Sequence, residues 1–111
     1  MLMQEVAVAG GAQLTAEIDL GNNVSLEGVI VGASFEGTQI GFVVAEKAGG
    51  TFVNLYDEAG NRVLITVASS RAYGFKEDVR AQLAPWRYIK LETQTAQTGA
   101  LALTWIGRGR S

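Results

Sequence analysis

The sequence contains neither cysteine nor histidine. Without cysteine, disulfide bonds, thiol catalysis and iron–sulfur ligation are excluded. Without histidine, the commonest general base and the commonest zinc ligand are missing. The serines do not stand in a nucleophile-elbow sequence. We therefore predict no catalytic residue, no cofactor and no metal site, and expect that the protein is not an enzyme.

Charge is scarce and long apolar segments are absent. Charged residues make up 18% of the 111 residues and the formal net charge is −2, whereas about 25% charged residues is usual in soluble domains. No run approaches the roughly 18 apolar residues of a membrane span, and the N-terminus lacks the features of a signal peptide. The sequence has no cluster of four or more Lys/Arg residues, so nucleic-acid binding is not expected. We expect a soluble protein, made in a cytosol, that hides part of its surface against a partner.

Short alternating runs separated by Gly, Asn and Asp make up most of the chain. They predict strands over residues 4–9, 14–20, 24–31, 39–45, 51–56, 63–67, 86–91 and 100–106. Residues 71–75 fit a further strand, and residues 76–83 are good helix formers that precede Pro85, the only proline. The length fits one domain over residues 1–111. The predicted fold class is all-β: a β-sandwich, for which a jelly roll is one candidate form, with eight or nine short strands and at most one short helix.

Alternation also predicts which side chains face the core. The inward sets in two early runs are Leu14, Ala16, Ile18 and Leu20, followed by Val24, Leu26, Gly28 and Ile30. Phe52 is predicted to face inward, and Phe35 to plug a loop. Trp105, in register with Leu101 and Leu103, is expected in the core, whereas Trp86 and Tyr88 fit either the core or an exposed face.

Three acidic pairs are the remaining candidates for chemistry: Glu17 with Asp19, Asp57 with Glu58, and Glu77 with Asp78. A carboxylate-type hydrolase needs two acids facing each other at about 5–10 Å. Asp57, Glu58 and Asn61 form a turn that could hold calcium in principle, but its spacing is not that of an EF-hand. Solvated strand faces and turn formation account for these residues better.

Several segments together resemble a known group of proteins. They are LTAEIDLG (14–21), LEGVIV (26–31), IGF (40–42), GGTF (49–52), NLYD (54–57), Gly60, WRYIKL (86–91) and the last strand up to Arg108. This order of strands and turns resembles small β-sandwich proteins encoded among the structural genes of tailed bacteriophages and prophages. The chain departs from that group at residues 92–98 and 32–35, where a Ser-Gly-Thr segment and a Pro-x-x-Trp segment are expected.

The resemblance implies a virion accessory protein, assembled in the host cytoplasm and located on the virion. The leading hypothesis is a capsid decoration, or cement, protein that stabilises the head by binding the major capsid protein or another virion protein. Burial of apolar surface and pairing of an edge strand with coat protein would supply the binding. Capsid symmetry favours a homo-oligomer, of which a trimer is the simplest case.

The alternative is a head- or tail-fibre component that binds a host glycan or anchors another fibre protein. It predicts exposed rings among Tyr73, Trp86 and Tyr88. For either role the candidate partner contacts are Trp86, Tyr88, Phe35, Arg108 and Arg110.

Overall fold

A computed structural model describes residues 2–21 and 23–109, which form two antiparallel sheets and one helix. The elements are β1 (Leu2–Val8), β2 (Ile18–Asp19), β3 (Val24–Val31), β4 (Gln39–Ala45), β5 (Val53–Asn54), β6 (Leu64–Thr66), β7 (Arg71–Gly74), α1 (Glu77–Leu83), β8 (Tyr88–Thr93) and β9 (Leu101–Gly109). The all-β sandwich predicted from the sequence, with nine short strands and one short helix among the described residues, is confirmed.

The strands pair in a nested order: the first strands of the chain pair with the last ones, and the middle strands pair with each other. The first sheet has the order β1-β9-β3-β7 and the second the order β2-β8-β4-β5, with β6 also paired to β4. Thus β1 pairs with β9, β2 with β8, β3 with β7, and β4 with β5 and β6. Two sheets connected in this nested way form a jelly roll. Because β5 and β6 follow the same side of β4, they behave as one strand interrupted by the hairpin at residues 55–63.

The core lies between the two sheets and is built by alternation on both sides. Its fully buried large side chains include Leu26, Phe42, Ile89, Leu91 and Leu103. Phe42 meets the ring of Phe75 edge-on, with 5.6 Å between ring centroids. Trp105 is 5% exposed and belongs to this core, as its register predicted. Each large apolar side chain buried in this way contributes roughly 1.5–3 kcal/mol.

A β-bulge in β3 reverses the predicted orientation of its second half. The register with β9 shifts between Leu26 and Gly28. As a result Val29 and Val31 are buried in the core, and Ile30 faces outward instead. The prediction that Gly28 and Ile30 share the inward face of Leu26 was therefore wrong, because a bulge adds one residue and inverts the alternation beyond it.

The segment before β2 contains a second irregularity. Leu14 lies opposite Glu92, and Ile18 lies opposite Ile89, so four residue steps on one strand match three on the other. Thr15 is consequently buried at 3% exposure, whereas Leu14 is 41% exposed, the reverse of the prediction. The Thr15 hydroxyl accepts a hydrogen bond from the Leu91 amide at 3.1 Å, which satisfies this polar group in the core.

The short helix closes one side of the sandwich. Helix α1 contacts β3, and its Leu83 is buried in the core. The helix was predicted over residues 76–83 and is found over Glu77–Leu83; with seven residues it is too short to cross a membrane. Phe52, predicted to face inward, instead lies half-buried on the outer side of the second sheet, where the Lys90 ammonium is 4.6 Å from its ring centroid.

Candidate functional site: the outer face of the first sheet

The outward side chains of the first sheet are small and uncharged at almost every position. Cross-strand pairs identify them, since directly opposed residues share a face. Met3 lies opposite Ile106, Thr104 lies opposite Ile30, and Ile30 lies opposite Ala72. We call this surface the apolar face and define it by Met3, Ala7, Gly28, Ile30, Ala72, Gly74, Ala102, Thr104 and Ile106.

Charged groups occur only at the margins of the apolar face. Glu5 stands on the edge strand β1, opposite Thr104, and Arg108 stands at the far end of β9. Glu27, at the β3 bulge, forms an ion pair with Arg80 of α1 at 3.3 Å. Among the described residues, the centre of the face therefore presents methyl groups, a thioether and backbone, with one hydroxyl at Thr104.

This composition is unusual for the outer face of an antiparallel sheet. Such a face normally carries polar residues because it is solvated. The apolar face has an area of roughly 400 Å². This follows from four strands about 4.8 Å apart, each with two or three outward positions about 6.8 Å apart along the strand. Contiguous apolar patches of this size are often functional on monomeric proteins. The face is therefore the candidate functional surface among the described residues.

The outer face of the second sheet is different, because long side chains cover its backbone. Arg62 forms an ion pair with Glu92, whose carboxylate also accepts a hydrogen bond from the Gln94 amide at 3.0 Å. These side chains lie over Gly41, where an added Cβ would be 2.9 Å from Gln94 Nε2. Lys90, opposite Val43 on β4, extends over the ring of Phe52. The apolar stems of such residues shield the sheet while their charged ends stay solvated.

An exposed ion pair continues this charged surface across β2. Arg87 donates two hydrogen bonds to the Asp19 carboxylate, at 2.7 and 3.1 Å, and its guanidinium lies 5.0 Å from the Tyr88 ring centroid. The Arg87 hydrogen bonds, with a further one from the Gly21 amide, lower the pKa of Asp19 from its ordinary value. The same pairing raises the pKa of Arg87. Both outer faces thus have a defined chemistry, one ionic and one apolar.

Comparisons of the chain with family models, curated proteins and solved structures found no match. Functional inference for this chain depends on the geometry of its own residues.

The candidate contacts predicted from the sequence do not form one surface. Phe35 is 9% exposed and belongs to the core. Trp86 is half-buried and packs against the core, and Tyr88 is half-buried beside Arg87 on the second sheet. Arg108 is exposed at the end of the apolar face on the opposite sheet. Arg110 lies outside the described residues.

The acidic pairs serve local structure. The Glu17 carboxylate accepts the Gly49 amide at 2.9 Å, and Asp19 binds Arg87. Asp57 Oδ1 accepts the Asn61 amide at 2.9 Å and closes the hairpin turn, in which Gly60 adopts a φ of 87°. Among the described residues, no three acidic side chains are grouped so that they could hold a metal ion.

Sequence reasoning missed the residues of the apolar face, although a signal was present. In β9 the outward positions Ala102, Thr104 and Ile106 are uncharged, and they alternate with the apolar inward positions. Residues 101–107 of β9 carry no charge at either parity, which is typical of a strand covered on both sides. Which strands lie beside β9 could not be read from its own residues, so the extent of the face was not predictable.

Proposed function

We propose that this protein is a capsid decoration protein of a tailed bacteriophage, which stabilises the head by binding coat protein through its apolar face. The observation that supports the proposal is the absence of charge from the centre of that face, in contrast to the charged outer face of the second sheet. Burying the face removes apolar surface from water, and Glu5 on the edge strand β1 is the charged group next to its centre.

The mechanism needs no reaction at the interface. A protein that binds the assembled head and not the dissociated subunits shifts the equilibrium toward the assembled state by mass action. Gly74 and Ala102 are exposed and short, so a partner can approach the backbone of the face closely there. Ile30 and Ile106 provide the larger side chains of the face and are its candidate anchors.

The proposal can be tested with two matched threonine substitutions, one on each sheet. Thr104→Lys places a charge at the centre of the apolar face, and Thr66→Lys places the same charge on β6 of the second sheet, opposite Gln39. Heads of the phage that encodes the protein, prepared without it, are incubated with each variant and sedimented. We expect Thr104→Lys to weaken binding by about tenfold or more, because a lysine would be desolvated in the contact.

Thr66→Lys should bind as the unsubstituted protein does, and both variants should retain its circular dichroism spectrum and melting temperature. If the unsubstituted protein fails to bind the heads, or if the two variants lose binding equally, the proposed function is wrong.

The fibre-type alternative, in which the protein binds a glycan, lacks a supporting observation. Tyr73 is half-buried, and its hydroxyl accepts a hydrogen bond from the Ala68 amide at 2.7 Å. Trp86 packs against the core and Tyr88 lies under Arg87. These three rings therefore do not form an exposed platform on which a sugar could stack.

A further inference from the structure

Strand β1 leaves one edge of the first sheet open. It has seven residues, it is the terminal strand of its sheet, and among the described elements it contacts only β9. Along this edge, about half of the N–H and C=O groups of β1 point away from β9. Such groups are a template for pairing with another strand.

The other sheet edges are protected in ways that β1 is not. Strand β2 has only two residues, and Asp19 within it is paired with Arg87. The edge formed by β5 and β6 is interrupted by the hairpin at residues 55–63. Strand β7 has four residues and begins with the exposed Arg71. These are known devices against edge pairing, namely short strands, charges and interruptions.

By contrast, β1 is long, regular and almost uncharged. Its register with β9 runs from Leu2 to Val8 without a bulge. It contains no proline, lysine or arginine, and Glu5 is its only charged residue. Leu2 and Met3 are 49% and 56% exposed, so an apolar stretch lies along the open edge.

We propose that β1 pairs with β1 of a second copy of this chain, antiparallel and centred on Gln4. In this register Gln4 faces Gln4 of the second copy, Met3 faces Glu5, and Leu2 faces Val6. The alternative centred on Glu5 places two carboxylates directly opposite each other, which is unfavourable. Pairing about Gln4 also covers Leu2 and Val6 on the core side, where Val6 is 9% exposed at the margin of the sandwich.

Pairing also enlarges the apolar face. Two four-stranded sheets joined through β1 become one continuous sheet, because directly opposed residues keep their side chains on the same side. The two apolar faces then lie on one surface of roughly 800 Å², with the two Glu5 carboxylates at the junction between them. Roughly 800 Å² is the area each partner contributes to a standard protein interface. This area argument rests on the proposed docking function, whereas the open edge does not.

Cysteine substitution tests the register directly, because the chain contains no cysteine. Gln4→Cys places two thiols opposite each other at the two-fold axis, at a separation that a disulfide can bridge. The control, Ala7→Cys, lies on the same strand and is also exposed, but the two copies of residue 7 would be about 20 Å apart. Under mild oxidation, we expect a covalent dimer on a non-reducing gel for Gln4→Cys and monomer for Ala7→Cys. Equal cross-linking of both variants, or of neither, would overturn the register.

Substituting Met3 by residues of opposite charge tests the pairing in solution, without capsids. Met3→Glu would oppose Glu5 of the second copy at two places and should weaken the dimer roughly fivefold to tenfold. Met3→Lys should leave the dimer at least as tight, and Met3→Glu combined with Glu5→Lys should restore it. Sedimentation equilibrium over a range of concentrations measures all four proteins.

A monomer or a trimer at every concentration, or equal weakening by Met3→Glu and Met3→Lys, would contradict the proposal. Because these measurements use the purified chain alone, their failure is distinguishable from a failure to bind heads. A chain that dimerises and does not bind heads would retain this pairing and lose the proposed function.

Discussion

The outer faces of the two sheets differ in how far side chains cover their backbone. Each sheet has one side in the core, and each leaves the backbone of its other side near the surface. On the second sheet, long side chains such as Arg62 and Lys90 lie across the strands, and Val43 and Ala45 beneath them are 4% and 3% exposed. On the first sheet the outward residues are too short to cover one another, and Ala7, Ala72 and Ala102 remain exposed.

In the proposed function, the outer face of the second sheet is complete within the monomer and the apolar face is covered by a partner. On the second sheet the terminal nitrogens of Arg62 bond to Glu92 and Gln94, and Gln94 donates to Glu92, whereas Arg62 Nε is buried without a partner. Among the described residues, the apolar face of the first sheet has no such network of long polar side chains. Substitutions on the two faces should therefore affect different properties, namely stability on the second sheet and association on the first.

Gly28 on the first sheet and Gly41 on the second allow the packing around the two sheets to be compared by one substitution, glycine to alanine. Gly28→Ala, on the first sheet, should have the largest effect on stability. A Cβ there would lie 2.4 Å from the Tyr73 carbonyl oxygen, and backbone on both strands would have to move. We expect a loss of about 3 kcal/mol in the free energy of unfolding, measured by chemical denaturation. A loss below about 1 kcal/mol would show that the bulge absorbs the methyl group.

Gly41→Ala is the matched change on the second sheet and should cost less. The atoms that a Cβ would meet there are the ends of Gln94, Leu64 and Arg62, at 2.9, 2.9 and 3.1 Å. Flexible side chains can move aside, so a loss of about 1 kcal/mol is expected in the same denaturation experiment. If Gly41→Ala lowers the free energy of unfolding as much as Gly28→Ala does, the surrounding side chains do not move aside.

The ion pair of Arg62 with Glu92 should contribute a moderate amount. Its side chains are 19% and 22% exposed, so removing the arginine leaves a carboxylate partly desolvated. Arg62→Met should lower the free energy of unfolding by about 1–2 kcal/mol. A double-mutant cycle with Glu92→Gln should then give a favourable coupling energy of about 1 kcal/mol.

The matched control is Arg71→Met, at an exposed arginine of the first sheet, where the change should stay within about 0.5 kcal/mol. If the cycle shows no coupling, the packing of the apolar stems of these long side chains, and not the ion pair, stabilises the outer face of the second sheet.

The smallest effect concerns pH and the exposed pair of Asp19 with Arg87. The pKa of Asp19 is lowered in the folded state, so ionised Asp19 favours folding. Its contribution is fully present above the ordinary value of 3.8 and is lost as the pH falls through the lowered pKa. The stabilities of the unsubstituted protein and Asp19→Asn should therefore differ slightly near neutral pH and converge below about pH 4. Arg87→Gln should remove most of this pH-dependent difference and leave the smaller part due to the Gly21 amide; a difference of unchanged size would show that Arg87 is not its main cause.

Sequence reasoning predicted the strands where alternation is regular. Strands β3 and β4 have the bounds expected from their runs, and β8 buries Ile89 and Leu91 as its alternation required. It failed where the backbone is irregular, at the β3 bulge and at Thr15. It also missed Gln97, which lies in a polar loop yet is 1% exposed. The Gln97 side chain accepts the Glu36 amide and donates to the Glu36 and Thr95 carbonyls, partners that only the folded loops supply.

The candidate site was less predictable than the fold. Phe35 and Trp86 are large apolar residues, which are usually buried, and both contribute to the core or pack against it. The apolar face consists mainly of small residues from four strands that are distant in sequence. No single strand carries enough of it to be recognised, because a surface patch is a property of neighbours in space.

The sequence by itself determined the all-β class, because period-two alternation in short runs can bury apolar side chains only in paired sheets. It also determined the scarcity of charge and the lack of thiol and imidazole groups. The tertiary structure decided which strands are neighbours, where one-residue irregularities invert a strand, and which side chains meet on each outer face. These features depend on contacts between residues far apart in the chain, such as the pairing of β1 with β9. Local sequence patterns carry no information on such pairings, and both the apolar face and the open β1 edge arise from them.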